Sequence, residues 1–328
     1  MVRRESAKLF TAVRIRSHAS DLNAKLILMR GLIFLILIFL LPGTCLKAQS
    51  TGVGPHVLVV IAHPDDESTF SVTLYKIVKE QHGTVDLFVI TNGEAGFKYC
   101  TLAEQYYGID LTDEKAGRTN LPRIRKKELM NAGKILGVSQ YYFQDQADAH
   151  YGLGEKGPLD STWNTTLVKK HLTQLLKKKH YDFVFTLLPE PGTHGEHKAA
   201  AILALNTIAA LPLSERPVIL GAITQNKVDP AFKFNQYTSY RETQTITDTP
   251  LFEVDRTASF SYKNRVNYKV IANWEIAEHK SQGFTQMTMN DGDLEEFWYF
   301  KTNGTEGVAK CENLFKLLKQ VPYLSKVY

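Results

Sequence analysis

Five short runs of apolar residues constrain the fold of this 328-residue chain more than any other feature. A strand that faces solvent on one side alternates apolar and polar residues, whereas a strand covered on both faces of a parallel sheet is apolar almost throughout. Most of the five runs are apolar at nearly every position. They predict strands of a buried, mostly parallel sheet at residues 57–62, 85–91, 141–143, 182–188 and 217–224.

Segments with apolar residues at helical spacing separate these runs. The predicted helices are residues 70–80, 123–136, 166–178 and 199–210. Alternation of strands and helices predicts an open α/β sandwich with right-handed crossovers. After about residue 225 the pattern becomes less regular, and residues 97–120 are predicted to be a surface insertion.

The net charge of +5 is concentrated near the N-terminus. Residues 1–48 contain eight Lys and Arg side chains, with Glu5 and Asp21 as the acids. The rest of the chain carries 31 basic and 32 acidic side chains, so the predicted globular part is close to neutral. Proteins that bind nucleic acids usually present a basic patch on the folded body. The charge distribution therefore argues against a nucleic-acid partner.

The basic N-terminal segment contains an apolar run, GLIFLILIFLL, at residues 31–41. The run is too short to cross a bilayer, which requires about 20 apolar residues. Arg30 precedes it and small residues around Ala48 follow it, as in a signal peptide. We therefore expect residues 1–48 to be a cleaved leader and the mature protein to be exported, periplasmic or secreted, without a transmembrane span. An uncleaved anchor is the alternative.

Three further features bear on the leader and on the state of the mature chain. Met29 lies just before the basic residue of the signal peptide and is the expected true start. A lipoprotein anchored at Cys45 is less favoured, because Pro42 stands where such proteins normally have an aliphatic residue. After cleavage, Cys100 and Cys311 remain, and their spacing does not define a disulfide framework.

The first predicted strand ends in residues that can bind a metal, in the sequence IAHPDDES at 61–68. Ligands of open α/β sheets bind beyond the carboxyl ends of the strands, so we expect His63, Asp65 and Asp66 at that edge. A histidine nitrogen and a carboxylate oxygen are two of the three protein ligands of an open catalytic Zn²⁺ site. The second carboxylate can accept a proton from water. The alternative is an acidic turn that caps the next helix.

A second group of metal-binding side chains follows the fourth predicted strand, in LLPEPGTHGEHKAAAILAL. His194 and His197 are three residues apart, so they share a face on the first turn of the next helix. One imidazole can complete the three metal ligands, and the other can approach the reacting carbonyl. A pair of surface histidines is the alternative. The spacing differs from the HExxH pattern of metalloproteases, in which the histidines are four residues apart.

The motifs AHPDDE after strand one and HxxH after strand four resemble the LmbE-like (PIG-L) family of zinc-dependent N-acetylglucosamine deacetylases. The resemblance covers residues 57–205. Supporting motifs are TNGEAG at 91–96, RKKE at 125–128 and AEHKSQ at 277–282. The resemblance implies a Rossmann-like three-layer sandwich over residues 55–328, with 225–328 as an irregular C-terminal extension. It also makes His279 a candidate for the lining of the pocket.

The same resemblance implies roles for five residues of the two clusters. His63, Asp66 and His197 would bind Zn²⁺. Asp65 would be the general base. His194 would be the protonated partner that stabilises the oxyanion or protonates the leaving amine.

Two positions align loosely with the family, and two others depart from its pattern. Arg125 and Asp145 are candidate substrate contacts. The family commonly has Pro-Asp between the two histidines, where this chain has Gly195-Glu196, although Glu196 can still orient an imidazole. Some relatives have a Tyr two residues before the first histidine, where this chain has Gly192. The zinc ion and the first histidine would then carry the oxyanion charge.

The main hypothesis is an exported zinc amidohydrolase that removes an N-acetyl group from an N-acetylglucosamine-type sugar or glycoconjugate. One alternative is a zinc amidase that acts on another N-acyl substrate, and another is a non-catalytic carbohydrate-binding relative. A binding protein is free to lose the base, yet Asp65 and the three presumed ligands are all present, which favours an enzyme. The sequence does not choose the acyl substrate, a small molecule or a glycan, and leaves the oligomeric state open.

Overall fold

The computed structural model of the protein describes residues 54–323. The predictions for the leader lie outside the described residues: the signal peptide over 1–48, the start at Met29 and the lipoprotein alternative at Cys45. Within the described part of the chain, no helix combines the length and the apolar character needed to cross a membrane.

A seven-stranded sheet forms the centre of the described chain. Its strands are β1 (His56–Ile61), β2 (Thr84–Thr91), β3 (Gln140–Gln146), β4 (Phe183–Leu187), β5 (Val218–Gln225), β6 (Phe252–Asp255) and β9 (Leu294–Tyr299), and a separate ribbon pairs β7 (Ser259–Phe260) with β8 (Val266–Asn267). The order across the sheet is β3-β2-β1-β4-β5-β9-β6. The strands β1 to β5 pair in parallel, and β9 runs antiparallel to both of its neighbours. The predicted, mostly parallel sheet is confirmed.

The first strand shows why its sequence is apolar at every central position. Val57, Val59 and Ile61 lie in the core on one face of the sheet, and Leu58 and Val60 lie in the core on the other face. All five side chains are fully buried. Burial of an aliphatic side chain of this size contributes about 1.5–3 kcal/mol. A polar residue at any of these positions would lose that contribution, whichever face it pointed to.

Helices cover both faces of the sheet. They are α1 (Ser71–Tyr75), α2 (Thr101–Tyr107), α3 (Glu114–Leu136), α4 (Thr165–Lys179), α5 (Gly195–Ala209), α6 (Lys269–Ile276), α7 (Gly283–Met287) and α8 (Gly307–Leu318). The helices α1, α3, α6 and α8 contribute to the core on one face, and α4 and α5 contribute to the core on the other. The described chain is therefore a three-layer α/β sandwich, as predicted.

The longest helix, α3, begins earlier than its sequence pattern predicted. The predicted start was residue 123, whereas the helix starts at Glu114. The side chain of Asp113 accepts a hydrogen bond from the N–H of Ala116 at 2.8 Å and thereby caps the helix. Pro122 lies inside the helix and does not end it.

Residues 97–120 are only partly the surface insertion that the sequence predicted. A small apolar core holds them against α3; its members are Phe97, Cys100, Ala103, Leu111, Leu121 and Ile124. Tyr99 and Tyr106 are exposed, as expected of an insertion. The segment after Asp113 belongs to α3, so the predicted boundary at 120 was wrong.

The C-terminal part of the chain completes the sheet. It provides β6 and β9, which extend the sheet beyond β5, and helices α6 to α8. Cys100 and Cys311 are both buried free thiols. Within residues 54–323 the two thiols form no disulfide with each other.

Candidate metal centre and active site

The loop after β1 places His63 and Asp66 at the carboxyl edge of the sheet. The two residues are 7% and 8% exposed. The Oδ2 atom of Asp66 accepts hydrogen bonds from the backbone N–H groups of Ala62 and His63, at 3.0 and 2.8 Å. These bonds fix the orientation of the carboxylate, and its other oxygen, Oδ1, faces a neighbouring imidazole.

That imidazole belongs to His197, on the first turn of α5. Its Nε2 lies 3.1 Å from Oδ1 of Asp66 and 3.0 Å from Nδ1 of His63. The outer nitrogen of His197, Nδ1, lies 3.0 Å from the hydroxyl of Thr193, and the outer nitrogen of His63 lies 3.0 Å from Oε2 of Glu196. Outer partners of this kind orient the imidazoles that bind metals. Each ring therefore directs one nitrogen to a common point.

The atoms at that point form a donor set of two imidazole nitrogens and one carboxylate oxygen. An open catalytic zinc site uses such a set and keeps a fourth position free. Ligands at about 2.0–2.2 Å from a tetrahedral ion lie about 3.3 Å from one another. The separations of 3.0 and 3.1 Å in the protein are close to that value. The residues therefore fit a zinc ion held by His63, Asp66 and His197.

The electrostatics of the cluster also favour a cation. Burial alone would lower the pKa of His63, but the carboxylates of Asp66 and Glu196 outweigh burial and raise it well above its ordinary value. Burial would raise the pKa of Asp66, yet the imidazoles of His197 and His63 hold it well below its ordinary value. Positive charge is thus stabilised opposite Asp66. The nitrogens of His63 and His197 that face this point would have to be unprotonated to bind a metal ion.

Asp65 lies beside the donor set rather than within it. Its Oδ1 accepts a hydrogen bond from Nη2 of Arg125 at 2.7 Å, and its Oδ2 accepts one from the hydroxyl of Thr285 at 2.8 Å. The side chain of Asp65 is 14% exposed, so solvent can still reach it. A carboxylate next to a metal ligand and open to solvent is placed to accept a proton from water. The division of roles between Asp66 and Asp65 stays a prediction.

Arg125 reaches Asp65 from α3 and is 3% exposed. Its Nη1 also donates a hydrogen bond to the carbonyl of Gly93, in the TNGEAG loop after β2. A Cβ atom at Gly93, whose φ is +68°, would lie 2.1 Å from that nitrogen, so the loop requires glycine here. The structure thus places Arg125 against the candidate base. Its predicted contact with substrate stays a prediction.

His194 lies immediately before α5, between two other rings. Its ring centroid is 5.1 Å from that of His63 and 5.0 Å from that of Tyr151. Burial, followed by the charges on His63 and His197, lowers the pKa of His194 to about 4. The imidazole is therefore neutral at neutral pH in this state, whereas the family resemblance implied a protonated partner. It can act as an acid only after it takes up a proton.

Asp145 is not brought into the cluster. Its carboxylate is 62% exposed and pairs with Lys126. Asp148, in the same loop, is 4% exposed, and its carboxylate lies within 4.8 Å of the donor atoms of His63 and Glu196. The spacing of the acids in this loop does not show which of them turns towards the sheet, so sequence reasoning missed Asp148. A substrate contact by Asp145 stays a prediction.

Gly195 accounts for one departure from the family pattern. Its N–H donates a hydrogen bond to the carbonyl of Gly152 at 2.7 Å. A Cβ atom at Gly195 would lie 2.2 Å from the carbonyl oxygen of Gly154. A proline, which the family commonly has here, would lose the donor and add atoms where there is no room. The loop at Gly152 and Gly154 packs so closely on the first turn of α5 that only a glycine fits at position 195.

We expect Gly195→Ala to lower the free energy of unfolding by about 1–3 kcal/mol, the usual range for overpacking. The reason is that the backbone at Gly154 must move to accept the new Cβ atom. Urea unfolding measures the change, and Gly157→Ala is the matched control, because a Cβ atom there meets nothing within 4 Å. Equal unfolding free energies for the two variants would contradict this account of Gly195.

A second buried cluster lies directly behind the HPDD loop. Glu67, Glu275 and His279 are fully buried. The Nε2 atom of His279 lies 2.7 Å from Oε1 of Glu67 and 3.1 Å from Oε1 of Glu275. Burial raises the pKa of Glu67 to about 8, and the two glutamates raise the pKa of His279 well above its ordinary value in spite of burial. His279 therefore joins α6 to the loop after β1. The family resemblance made it a candidate for the lining of a pocket, but its side chain is fully buried.

Replacement of His279 by Leu should lower the free energy of unfolding by about 3–5 kcal/mol, because the buried Glu275 would lose its positive partner and the buried Glu67 would lose its hydrogen-bond partner. Chemical denaturation monitored by circular dichroism gives the value. His171→Leu, at an exposed position of α4, is the control and should change stability by no more than about 0.5 kcal/mol. A loss as small as that of the control would show that the imidazole does not bind the two carboxylates together.

The part of the chain that carries both histidine-containing motifs matches a known protein family. Residues 58–208 match the PIG-L family, described as GlcNAc-PI de-N-acetylase. The matched segment runs from β1 to α5 and includes both metal-binding motifs.

Two curated relatives are similar to about half of the chain. The probable N-acetyl-alpha-D-glucosaminyl L-malate deacetylase 2 of Bacillus cereus is 27% identical over 173 residues, which are 52% of this chain and 70% of the relative. The protein of the same name from Bacillus subtilis is 24% identical over 173 residues, or 52% of this chain and 69% of the relative.

Among solved structures, the N,N'-diacetylchitobiose deacetylase from Pyrococcus horikoshii is similar over 76% of this chain and 85% of its own, with a TM-score of 0.49 and 19% identity. Over residues 58–208 the chain is therefore similar to the PIG-L (LmbE-like) family of de-N-acetylases, and the curated relatives that it matches are named as deacetylases.

Proposed function

We propose that the protein is a zinc-dependent hydrolase that removes the N-acetyl group from an N-acetylglucosamine-type sugar or glycoconjugate. The observation that carries this proposal is the convergence of His63, Asp66 and His197 on one point, with Asp65 beside them. The names of the Bacillus relatives, which are deacetylases of an N-acetylglucosaminyl compound, support the choice of substrate class.

The residues of the site have separate tasks in this hydrolysis. A zinc ion held by His63, Asp66 and His197 supplies Lewis acidity that polarises an amide carbonyl. Asp65 accepts a proton from the water that attacks the acetyl carbon. His194, neutral at rest, is close enough to the donor set to receive a proton and donate it to the departing nitrogen. Water thus supplies the hydroxyl group of acetic acid and the proton of the free amine.

The position of His194 also bears on the oxyanion that forms at the carbonyl. A preorganised donor at that oxygen typically lowers the barrier by about 2.7–4 kcal/mol. Gly192 offers no side chain for this purpose, so the imidazole of His194, once it has taken up a proton, is the candidate donor from the loop before α5. Its stack on Tyr151, with ring planes 1° apart, holds the imidazole in one orientation.

We also propose that the protein acts outside the cytoplasm. The apolar run at 31–41, with basic residues before it and small residues after it, supports export. An exported enzyme meets glycans of the envelope or the environment. N-terminal sequencing of the mature protein tests the proposal; a sequence that still contains the apolar run would contradict it.

Acetate release tests the proposed reaction directly. The mature, zinc-loaded protein is incubated with N-acetylglucosamine, chitooligosaccharides and N-acetylated glycolipid headgroups, and we expect acetate from at least one of them. Cleavage of a longer-chain or peptide amide, without acetate from any sugar, would move the function to another zinc amidase. Absence of hydrolysis of every amide with zinc in place would favour a carbohydrate-binding protein.

A further inference from the structure

The C-terminal part of the chain contributes a side chain to the site, although the family match ends at residue 208. The hydroxyl of Thr285, on α7, donates a hydrogen bond to Oδ2 of Asp65 at 2.8 Å, across 220 positions of sequence. We propose that Thr285 is a positioning residue for Asp65: with Arg125, it sets the plane in which the carboxylate accepts a proton. The inference rests on the proposed function, in which Asp65 is the base.

The two donors hold different oxygens of the same carboxylate. Arg125 binds Oδ1 and Thr285 binds Oδ2. The terminal torsion of an aspartate is broad, so a carboxylate held by one oxygen can turn about its last bond. Donors on both oxygens remove that freedom. An ionised carboxylate has about four acceptor sites, so two remain for water or substrate.

Helix α3 positions both donors, Arg125 directly and Thr285 through the turn before α7. Arg125 and Glu128 both belong to the RKKE motif of α3 and are 3% and 2% exposed. The carboxylate of Glu128 accepts hydrogen bonds from the N–H and the hydroxyl of Ser281, at 2.8 and 2.6 Å, in the turn that leads into α7. One turn of α3 therefore supplies one donor directly and anchors the turn that leads to Thr285.

Thr285 lies inside α7, and its contact differs from the usual behaviour of a threonine in a helix. Such a hydroxyl commonly bonds to nearby backbone. Thr288, at the C-terminal end of α7, does so: its hydroxyl donates to the carbonyl of Thr285 at 3.0 Å. Thr285 instead directs its hydroxyl away from its own helix to Asp65. Its neighbours Phe284 and Met287 are 63% and 84% exposed, so burial of the helix does not force this orientation.

Kinetics of matched variants test the role. Thr285→Val keeps the shape and removes the hydroxyl, and we expect kcat to fall about 10-fold or more, since a misplacement of about 1 Å can cost about 10²-fold. KM should stay within about 2-fold, because Thr285 is not assigned a contact with substrate. Thr285→Ser should restore kcat. Thr288→Val, three residues away on the same segment, should change neither constant.

Crystal structures of the wild type and of Thr285→Val provide a readout that does not require activity. We expect the Asp65 carboxylate to rotate, or to occupy more than one orientation, while its bond to Arg125 remains. If Thr285→Val does not fold, Thr285→Ala, which adds no new apolar contact, takes its place in both measurements.

The outcomes separate this inference from the proposed function. An unchanged kcat in Thr285→Val, an Asp65 carboxylate that keeps its orientation, or a serine variant as slow as the valine variant would each overturn the positioning role. A wild-type protein that hydrolyses no amide, together with a reoriented Asp65 in the variant, would remove the proposed reaction but leave the structural role of Thr285 in place.

Discussion

Replacement of Asp65 by Asn will reduce turnover by roughly 10²–10⁴-fold, the usual contribution of a general base, while the protein keeps its metal. Asparagine has nearly the size of aspartate but cannot accept a proton from water. Its amide NH₂ group must also face either Arg125, where a hydrogen bond is lost, or Thr285, whose hydroxyl must then accept a hydrogen bond instead of donating one. Steady-state kcat and elemental analysis of bound metal are measured on the same preparations.

The neighbouring carboxylate gives the sharpest comparison for this result. Asp66→Asn should lose metal, because Oδ1 of Asp66 lies 3.1 Å from Nε2 of His197 in the donor set. Asp160→Asn, at an exposed position, is the control and should retain both metal and turnover. If Asp65→Asn lost zinc and Asp66→Asn retained it, the two carboxylates would have to exchange roles.

His63→Ala is expected to remove most of the bound metal and, with it, the activity. The imidazole supplies one of the three protein donors, and a site with two donors does not hold zinc in the same geometry. The substitution also leaves Oε2 of Glu196 without the imidazole nitrogen at 3.0 Å, inside a buried site. Metal content after dialysis, measured by elemental analysis, gives the result.

A histidine outside the site serves as the control for the metal measurement. His171→Ala removes an exposed imidazole of α4 and should leave metal content and turnover unchanged. Full metal occupancy in His63→Ala would exclude this residue as a ligand. The assignment of the donor set would then have to include His194, whose ring nitrogens lie within 4.8 Å of those of the other two histidines.

The sequence alone was sufficient to predict the sheet and the edge of it at which the two motifs meet. The apolar runs are local features. Because a parallel strand is buried on both faces, each of its positions requires an apolar side chain. The carboxyl ends of parallel strands lie at one edge, so the loops after β1 and β4, which are adjacent, could be expected to meet. His63, Asp66 and His197 converge for that reason.

The tertiary structure alone decided what surrounds those residues. Thr285 and His279 reach Asp65 and Glu67, after β1, from more than 200 positions away, through contacts that no local pattern encodes. At the end of β3 and in the loop after it, the path of the backbone determines which acidic side chain turns inward. Asp148 is buried there, whereas Asp145 is exposed. The periodicity of a sequence reports the faces of its own helices and strands, whereas the partners of a polar side chain depend on how distant segments pack. The meeting of the loops after β1 and β4 could therefore be predicted from the sequence, whereas the hydrogen bonds that hold Asp65 could not.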